Sequence, residues 1–281
     1  MDTVESKPDD VEHIEVSLLL EAIYQRYGYD FRAYARASIE RRIRRLVAKK
    51  QLASIAELIP LCLHDEKTFS ELAQQFSVSV TEMFRDPQVF RALREQVAPI
   101  LKTFPFVKVW HAGCATGEEV YSLAIVLSET GLLDRTTLFG TDFNDDALSR
   151  ARQGIYPAER MQDFTRAYQE AGGTRSFSEY YHASYESAAM DGALKEHITF
   201  ANHNLAADHV FGEMHLVFCR NVLIYFDRSL QNRALKLFTE SLVRGGFLCL
   251  GSKEDLRFTE VAEAYDVVDW DARIYKKRGE S

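Results

Sequence analysis

The sequence predicts an α/β protein, with an all-helical region first and a mostly parallel sheet after it, interrupted by one small insertion. Three observations carry this. From Val16 to Phe76, apolar residues recur at three- and four-residue spacing, and Pro and Gly are nearly absent. After Phe106 the period changes, and short apolar runs ending in Gly or Asp alternate with helical stretches. Residues 153–197, rich in Tyr, Phe, Ser and Gly, then break that alternation.

Residues 1–13 are polar and acidic, read as a disordered tail without the apolar centre of a signal peptide. Residues 14–78 form the helical domain: Leu19, Leu20, Ile23 and Tyr27 share a face, as do Ile39, Ile43, Leu46 and Val47. Residues 79–106 read as a linker carrying a polar motif and a helix. Val107–Trp110 is the first strand, closed by Gly113-Cys114-Ala115-Thr116-Gly117, and a helix follows over 118–130. Leu138–Asp142 is a second strand and 145–152 a second helix. Further strands fall at 198–200, 216–219 and 247–250, with a helix over 229–243 between the last two. Val267-Val268 and Arg273-Ile274-Tyr275 close the chain as a hairpin. The insertion at 153–197 is expected to hold a helix and a small antiparallel β-subdomain.

The chain of 281 residues suits about two domains at roughly 150 residues each. A hydrophobic fraction of 46% and a charged fraction of 27% exclude disordered and low-complexity classes. The net charge of −8 hides a segregation: residues 32–50 carry net +7, leaving −15 for the rest. Cys62, Cys114, Cys219 and Cys249 form no CxxC pair and read as free buried thiols of a cytoplasmic protein. No run of 18 apolar residues offers a membrane span. No cluster of metal ligands is expected.

The strand–loop–helix at 107–130 is the strongest chemical signal. Gly113 and Gly117 allow a tight turn where a ligand approaches the backbone, and a helix N-terminus follows. The loop lacks the third glycine of a dinucleotide site, and Glu118 and Glu119 would repel a pyrophosphate. A ligand that carries positive charge and no phosphate fits better. Asp142, ending the second strand, is placed to accept both hydroxyls of a ribose. Together these point to S-adenosylmethionine, with its ribose, amino-acid tail and sulfonium. Between the helices and the sheet, Arg85 can clamp a carboxylate through two parallel bonds. Arg220, Asn221 and Tyr225 leave the fourth strand on the side where open α/β sheets bind ligands.

Three segments then resemble the CheR family of S-adenosylmethionine-dependent chemoreceptor methyltransferases: Thr81-Glu82-Met83-Phe84-Arg85-Asp86, Gly113 through Ser122, and Phe218-Cys219-Arg220-Asn221-Val222-Leu223-Ile224-Tyr225-Phe226-Asp227. Their order extends the resemblance over roughly 16–277. It implies a class I methyltransferase sheet (Rossmann-like) with a helical N-terminal domain and an inserted antiparallel subdomain. By the same resemblance, Ser79, Thr81, Arg85, Gly113, Glu118, Glu119, Asp142, Asn204, Leu205, Arg220 and Asn221 surround the cofactor. Some relatives have Asn where Ser79 stands, so Ser79 is the weaker contact. Tyr225 and Arg85 are the residues implied for catalysis. In some relatives the inserted subdomain docks a receptor C-terminal peptide; the short stretch after Tyr181 suggests a member that works without that tether.

The implied reaction forms glutamyl methyl esters on a chemoreceptor and leaves S-adenosylhomocysteine. A glutamate with pKa near 4.3 is already ionised at pH 7, so no general base is required. That accords with the scatter of His111, His203 and His215. Arg41, Arg42, Arg44, Arg45 and Lys49 then form a basic surface for an acidic receptor helix. The expected protein is a cytoplasmic monomer that inserts in no membrane and binds no nucleic acid. Two other classes stay open to these residues: a non-catalytic S-adenosylmethionine-binding module, and a methyltransferase for another acceptor. The Cys219-Arg220-Asn221-Val222 run lacks the N/D-P-P-Y pattern of enzymes that methylate DNA amino groups.

Overall fold

The computed structural model describes residues 8–76 and 81–279. Its contacts divide the chain into two units: one holds Met1–Val78 with Tyr225–Gln231, the other Ser79–Ile224 with Asn232–Ser281.

In the first unit, helices run over Pro8–Tyr27, Arg36–Lys49, Leu58–His64 and Glu66–Phe76. Their apolar faces meet in a core that includes Val16, Leu19, Leu20, Ile43, Leu46, Leu58 and Leu72, each almost wholly withdrawn from water. The Tyr27 and Phe69 rings stack at 3.8 Å. The expected tail over residues 1–13 is corrected for its second half, because the first helix begins at Pro8. Two contacts account for the extension: Arg44 Nε pairs with Glu12 at 2.6 Å, and Arg36 Nη2 donates to the His13 carbonyl at 2.6 Å. The late segment joins this unit through backbone bonds. The Ala35 N–H donates to the Tyr225 carbonyl at 2.8 Å and the Asp227 N–H to the Ala33 carbonyl at 2.9 Å. Between them, the Tyr34 ring meets Phe226 edge-on.

The second unit is built on ten strands: β1 (Val107–Ala112), β2 (Thr136–Asp142), β3 (Ile155–Pro157), β4 (Tyr181–Ser184), β5 (Ser187–Met190), β6 (Ile198–Asn202), β7 (Met214–Cys219), β8 (Leu242–Leu250), β9 (Tyr265–Asp269) and β10 (Ile274–Lys277). Seven of them form one sheet in the order β6-β2-β1-β7-β8-β10-β9. The pairs from β6 to β8 are parallel, and β10 runs antiparallel to both its neighbours. The expected fold class holds: an α/β sheet with helices before it and, in the insertion, a three-stranded antiparallel sheet β3-β5-β4. From β1 the chain winds outward to β2 and β6, then returns to β7 and winds the other way. The order therefore reverses between β1 and β7, where such sheets open a crevice at their carboxyl ends.

Residues 81–106, expected as a linker, prove to be core of this unit. Met83, Phe84, Val89, Phe90, Leu93, Val97 and Leu101 are buried in the same apolar cluster as Val109, Phe218 and Phe247 of the sheet. Each such side chain contributes about 1.5–3 kcal/mol by leaving water, which a solvated linker would forgo. The helix Glu118–Glu129 is buried along its first ten residues, its two leading glutamates included.

Candidate active site

The loop from Gly113 to Gly117 turns the chain from β1 into the helix Glu118–Glu129. Gly113 sits at φ 71° and Gly117 at φ 89°, where a side chain is strained. Space forbids one as well: a Cβ on Gly113 would lie 2.4 Å from Val222 Cγ2, and one on Gly117 2.8 Å from Ala151 Cβ. Between them Ala115 also has a positive φ, 48°. The N–H groups of Gly113 and Cys114 both donate to the Thr141 carbonyl, at 2.8 and 2.9 Å, which ties the loop to the end of β2.

Asp142, the next residue, is buried and holds two turns at once. Its Oδ2 accepts from the Ala115 N–H at 2.9 Å and its Oδ1 from the Asn144 N–H at 3.0 Å. Burial pushes its carboxyl above the usual range, against the pull of those N–H groups. The Phe143 backbone also bonds to this carboxylate, whose roughly four acceptor positions still leave room for a hydroxyl donor.

Glu118 and Glu119, adjacent in sequence, enter different surroundings because consecutive helix positions diverge by about 100°. Glu118 Oε2 accepts from Thr116 Oγ1 at 2.6 Å, and its Oε1 lies 3.5 Å from Arg160 Nη1. Burial raises its pKa. Glu119 is paired with the Arg220 guanidinium and lies 3.0 Å from His111 Nε2. Burial pushes its carboxyl up, but Arg220 and His111 outweigh that and hold it below the usual range. The Arg220 side chain is 0% exposed and also donates to Asp86 and, at 2.9 Å, to the Arg85 carbonyl. Asp86 thus pairs with Arg220. Among the described residues the Arg85 guanidinium makes no ion pair or hydrogen bond of its own.

Asn221, beyond β7, has φ 59°, and its N–H donates to Glu254 at 3.0 Å. Its Oδ1 is buried without a partner among the described residues. Glu254 also accepts from the Gly251 N–H at 2.7 Å and the Ile224 N–H at 3.3 Å, so one buried carboxylate shapes this whole exit loop. Asn204 turns the chain after β6: its Oδ1 accepts from the Ala206 N–H at 2.9 Å, and Leu205 beside it is buried. The Thr81 carbonyl accepts from Arg160 at 3.4 Å. Ser79 lies outside the described residues.

Gly113, Glu118, Glu119, Asp142, Arg220 and Asn221 therefore gather at the carboxyl ends of β1, β2 and β7, with the Thr81–Asp86 segment held to them. Tyr225 belongs to the helical unit, where Arg42 lies over its ring at 5.3 Å. The basic residues divide. Arg42 is 7% exposed and caps the helix Glu66–Phe76 by donating to the carbonyls of Gln75 and Phe76, so it offers no surface to a substrate. Arg44 pairs with Glu12 and Lys49 lies 3.6 Å from Glu71. Arg41 and Arg45 are exposed and make no ion pair among the described residues.

Sequence reasoning gave His111 no role and missed Arg160 and Glu254. For Glu254 a signal existed, an acid just past the end of a parallel strand beside the crevice. Arg160 comes from the insertion and gave none.

The geometry suits an adenosine ligand with an amino-acid tail. Asp142 offers acceptors to hydroxyl donors, the orphaned Asn221 Oδ1 requires a donor, and Arg85 and Glu118 supply opposite charges for a zwitterion. Among the described residues no group of acidic, histidine or cysteine side chains is arranged to hold a metal, and no helix is long and apolar enough to cross a membrane.

Comparison with known proteins agrees. Residues 79–273 match the family described as CheR methyltransferase, SAM binding domain, and residues 14–77 match CheR methyltransferase, all-alpha domain. A Pseudomonas putida protein named "Putative methyltransferase Cher3" is 50% identical over 264 residues, covering 94% of this chain and 97% of its own. A chemotaxis protein methyltransferase of Listeria monocytogenes is 30% identical, covering 82% of this chain and 85% of its own. One of Borreliella burgdorferi is 27% identical, covering 86% and 88%.

Proposed function

The chain belongs to the CheR methyltransferase family, and from that premise we propose that it methylates glutamate side chains on the cytoplasmic helical region of a chemoreceptor, forming glutamyl methyl esters. It is a methyltransferase, and S-adenosylmethionine is its cofactor. The observation that carries the finer reading is the match, over more than four-fifths of both chains, to relatives named chemotaxis protein methyltransferases.

The residues present support it. S-adenosylmethionine, when bound, supplies a methyl group made electrophilic by its sulfonium. Asp142 takes the ribose hydroxyls, Arg85 the tail carboxylate, and Glu118 the tail ammonium. Asn221 and the backbone around Asn204 and Leu205 are assigned to the adenine side. Tyr225 is assigned to the transfer on the family motif alone. No side chain need remove a proton from the acceptor, since an exposed glutamate is already an anion at neutral pH. Two buried histidines are consistent with this: His111 is engaged with Glu119, and His203 lies 3.2 Å from the His209 carbonyl. Alignment of the reacting atoms can supply about 7–11 kcal/mol of the barrier.

Arg41 and Arg45, four residues apart on one exposed helix face, are the residues assigned to draw in an acidic receptor helix. The deciding experiment incubates the full chain with methyl-labelled S-adenosylmethionine and the cytoplasmic fragments of several receptors. Base-labile label on mapped glutamates is the expected result. Base-stable label would assign another acceptor. Cofactor binding with no transfer to any fragment would favour a non-catalytic module. Arg41→Glu with Arg45→Glu should raise KM for the receptor fragment and flatten its salt dependence, with cofactor affinity unchanged.

A further inference from the structure

We propose that Arg220 is a positioning residue: through its buried guanidinium it sets the turn that carries Arg85. The inference rests on the reading of Arg85 as the grip on the cofactor's tail carboxylate. In the family resemblance Arg220 was grouped with the cofactor contacts; its burial and its partners give it a different task.

The Arg220 side chain is 0% exposed and both its terminal nitrogens are taken up inside the protein, while its Nε is buried without a partner among the described residues. One terminal nitrogen serves the Arg85 carbonyl, at 2.9 Å, and the Glu119 carboxylate; the other serves Asp86. A single planar fork thus joins three places far apart in sequence: the exit of β7, the first turn of the helix Glu118–Glu129, and the Arg85 turn.

That turn needs holding. Phe84 and Asp86, on either side of Arg85, have φ of 54° and 53°. Two non-glycine residues in the left-handed region within three positions persist only where the surroundings impose them. The surroundings do so at three points. The Phe84 N–H donates to Ser122 Oγ at 2.9 Å, and Arg220 takes both the Arg85 carbonyl and the Asp86 carboxylate. With its backbone fixed on both sides, Arg85 is the member of the turn whose side chain stays uncommitted among the described residues. Glu119 completes the device by neutralising the guanidinium, with His111 behind it. A lysine at position 220 could keep the charge against Glu119 but could not span all three partners.

The test is a double-mutant cycle read by calorimetric titration of S-adenosylmethionine into the full-length chain. Arg85→Ala should weaken binding by about tenfold or more, as loss of a charge-assisted pair does. Arg220→Lys should also cost about tenfold in the native background but less than about twofold once Arg85 is alanine. Equal losses in both backgrounds would overturn the inference, because a residue acting only as scaffold, or touching the cofactor itself, weakens binding whether or not Arg85 is present. Should Arg220→Lys fail to fold, Asp86→Asn at the half-buried end of the fork takes its place, with the same loss of effect expected beside Arg85→Ala. Melting temperatures of all variants separate a general loss of stability from the loss of affinity. If Arg85→Ala alone binds as tightly as the native chain, the assignment of Arg85 falls and this inference falls with it. A weakened Arg85→Ala with additive second losses removes the inference alone.

Discussion

Glu119→Gln replaces one carboxylate oxygen by an amide and leaves the shape of the side chain nearly unchanged. Its neighbour Arg220 is wholly buried, and Glu119 itself is 3% exposed. Removing one partner of a buried pair costs about 3–5 kcal/mol, because the remaining charge is stranded out of water. Asp86 remains against Arg220, and its side chain is 31% exposed, so the lower end, about 3 kcal/mol, is expected. In a unit of roughly 200 residues that corresponds to a melting point lower by about 6–12 °C. The pH dependence follows from the Glu119 carboxyl lying below its ordinary value of 4.5. A depressed acid contributes stability that is complete above the unfolded value and is lost as pH falls through the folded one. The difference between native protein and variant should therefore be full at pH 7 and should shrink as pH drops below about 4.5. Thermal melts and urea titrations at several pH values read both quantities. A cost under about 1 kcal/mol at pH 7, or a difference that grows in acid, would refute the reasoning.

The adjacent residue should behave oppositely. Burial raises the Glu118 carboxyl, so what it contributes is present below the unfolded value and lost as pH rises; Glu118→Gln is expected to be neutral or stabilising at pH 7 in the same melts. Asp142→Asn removes an acceptor facing either the Ala115 or the Asn144 N–H and should cost about 1–3 kcal/mol; the rise in melting temperature that S-adenosylmethionine gives the native chain should also vanish. Gly113→Ala meets both a left-handed φ and Val222 at 2.4 Å, and should lower stability by more than about 1 kcal/mol in urea titration.

Much of this was legible in the residues. The change of period after Phe106 marks the sheet, and Gly113, Gly117 and Asp142 mark its ligand end, because local backbone needs and strand ends leave local signals. What the sequence concealed was non-local. Glu118 and Glu119 read as a matched pair because nothing in the dipeptide says which one meets a buried arginine 101 residues later. Arg42 reads as one more surface cation among its neighbours, yet the inward face of its helix carries it to the carbonyls of Gln75 and Phe76. The segment 81–106 looked like a connection because it falls between the helical period and the first strand and opens on a polar motif, and only the assembled sheet shows what Phe84 and Phe90 cover.

The bridge between residues 33–35 and 225–227 carries a consequence for how the protein is made. When the first 78 residues have left the ribosome, their helices can pack, but the Ala33 carbonyl and the Ala35 N–H still lack their partners, and Tyr34 lacks Phe226. Those partners emerge only after about 150 further residues have been synthesised, which at roughly 5–20 residues per second is a delay of about seven to thirty seconds. The helical region, made before the sheet, is thus among the last to be finished, and a chain cut short before Tyr225 would carry a helical unit with an open seam.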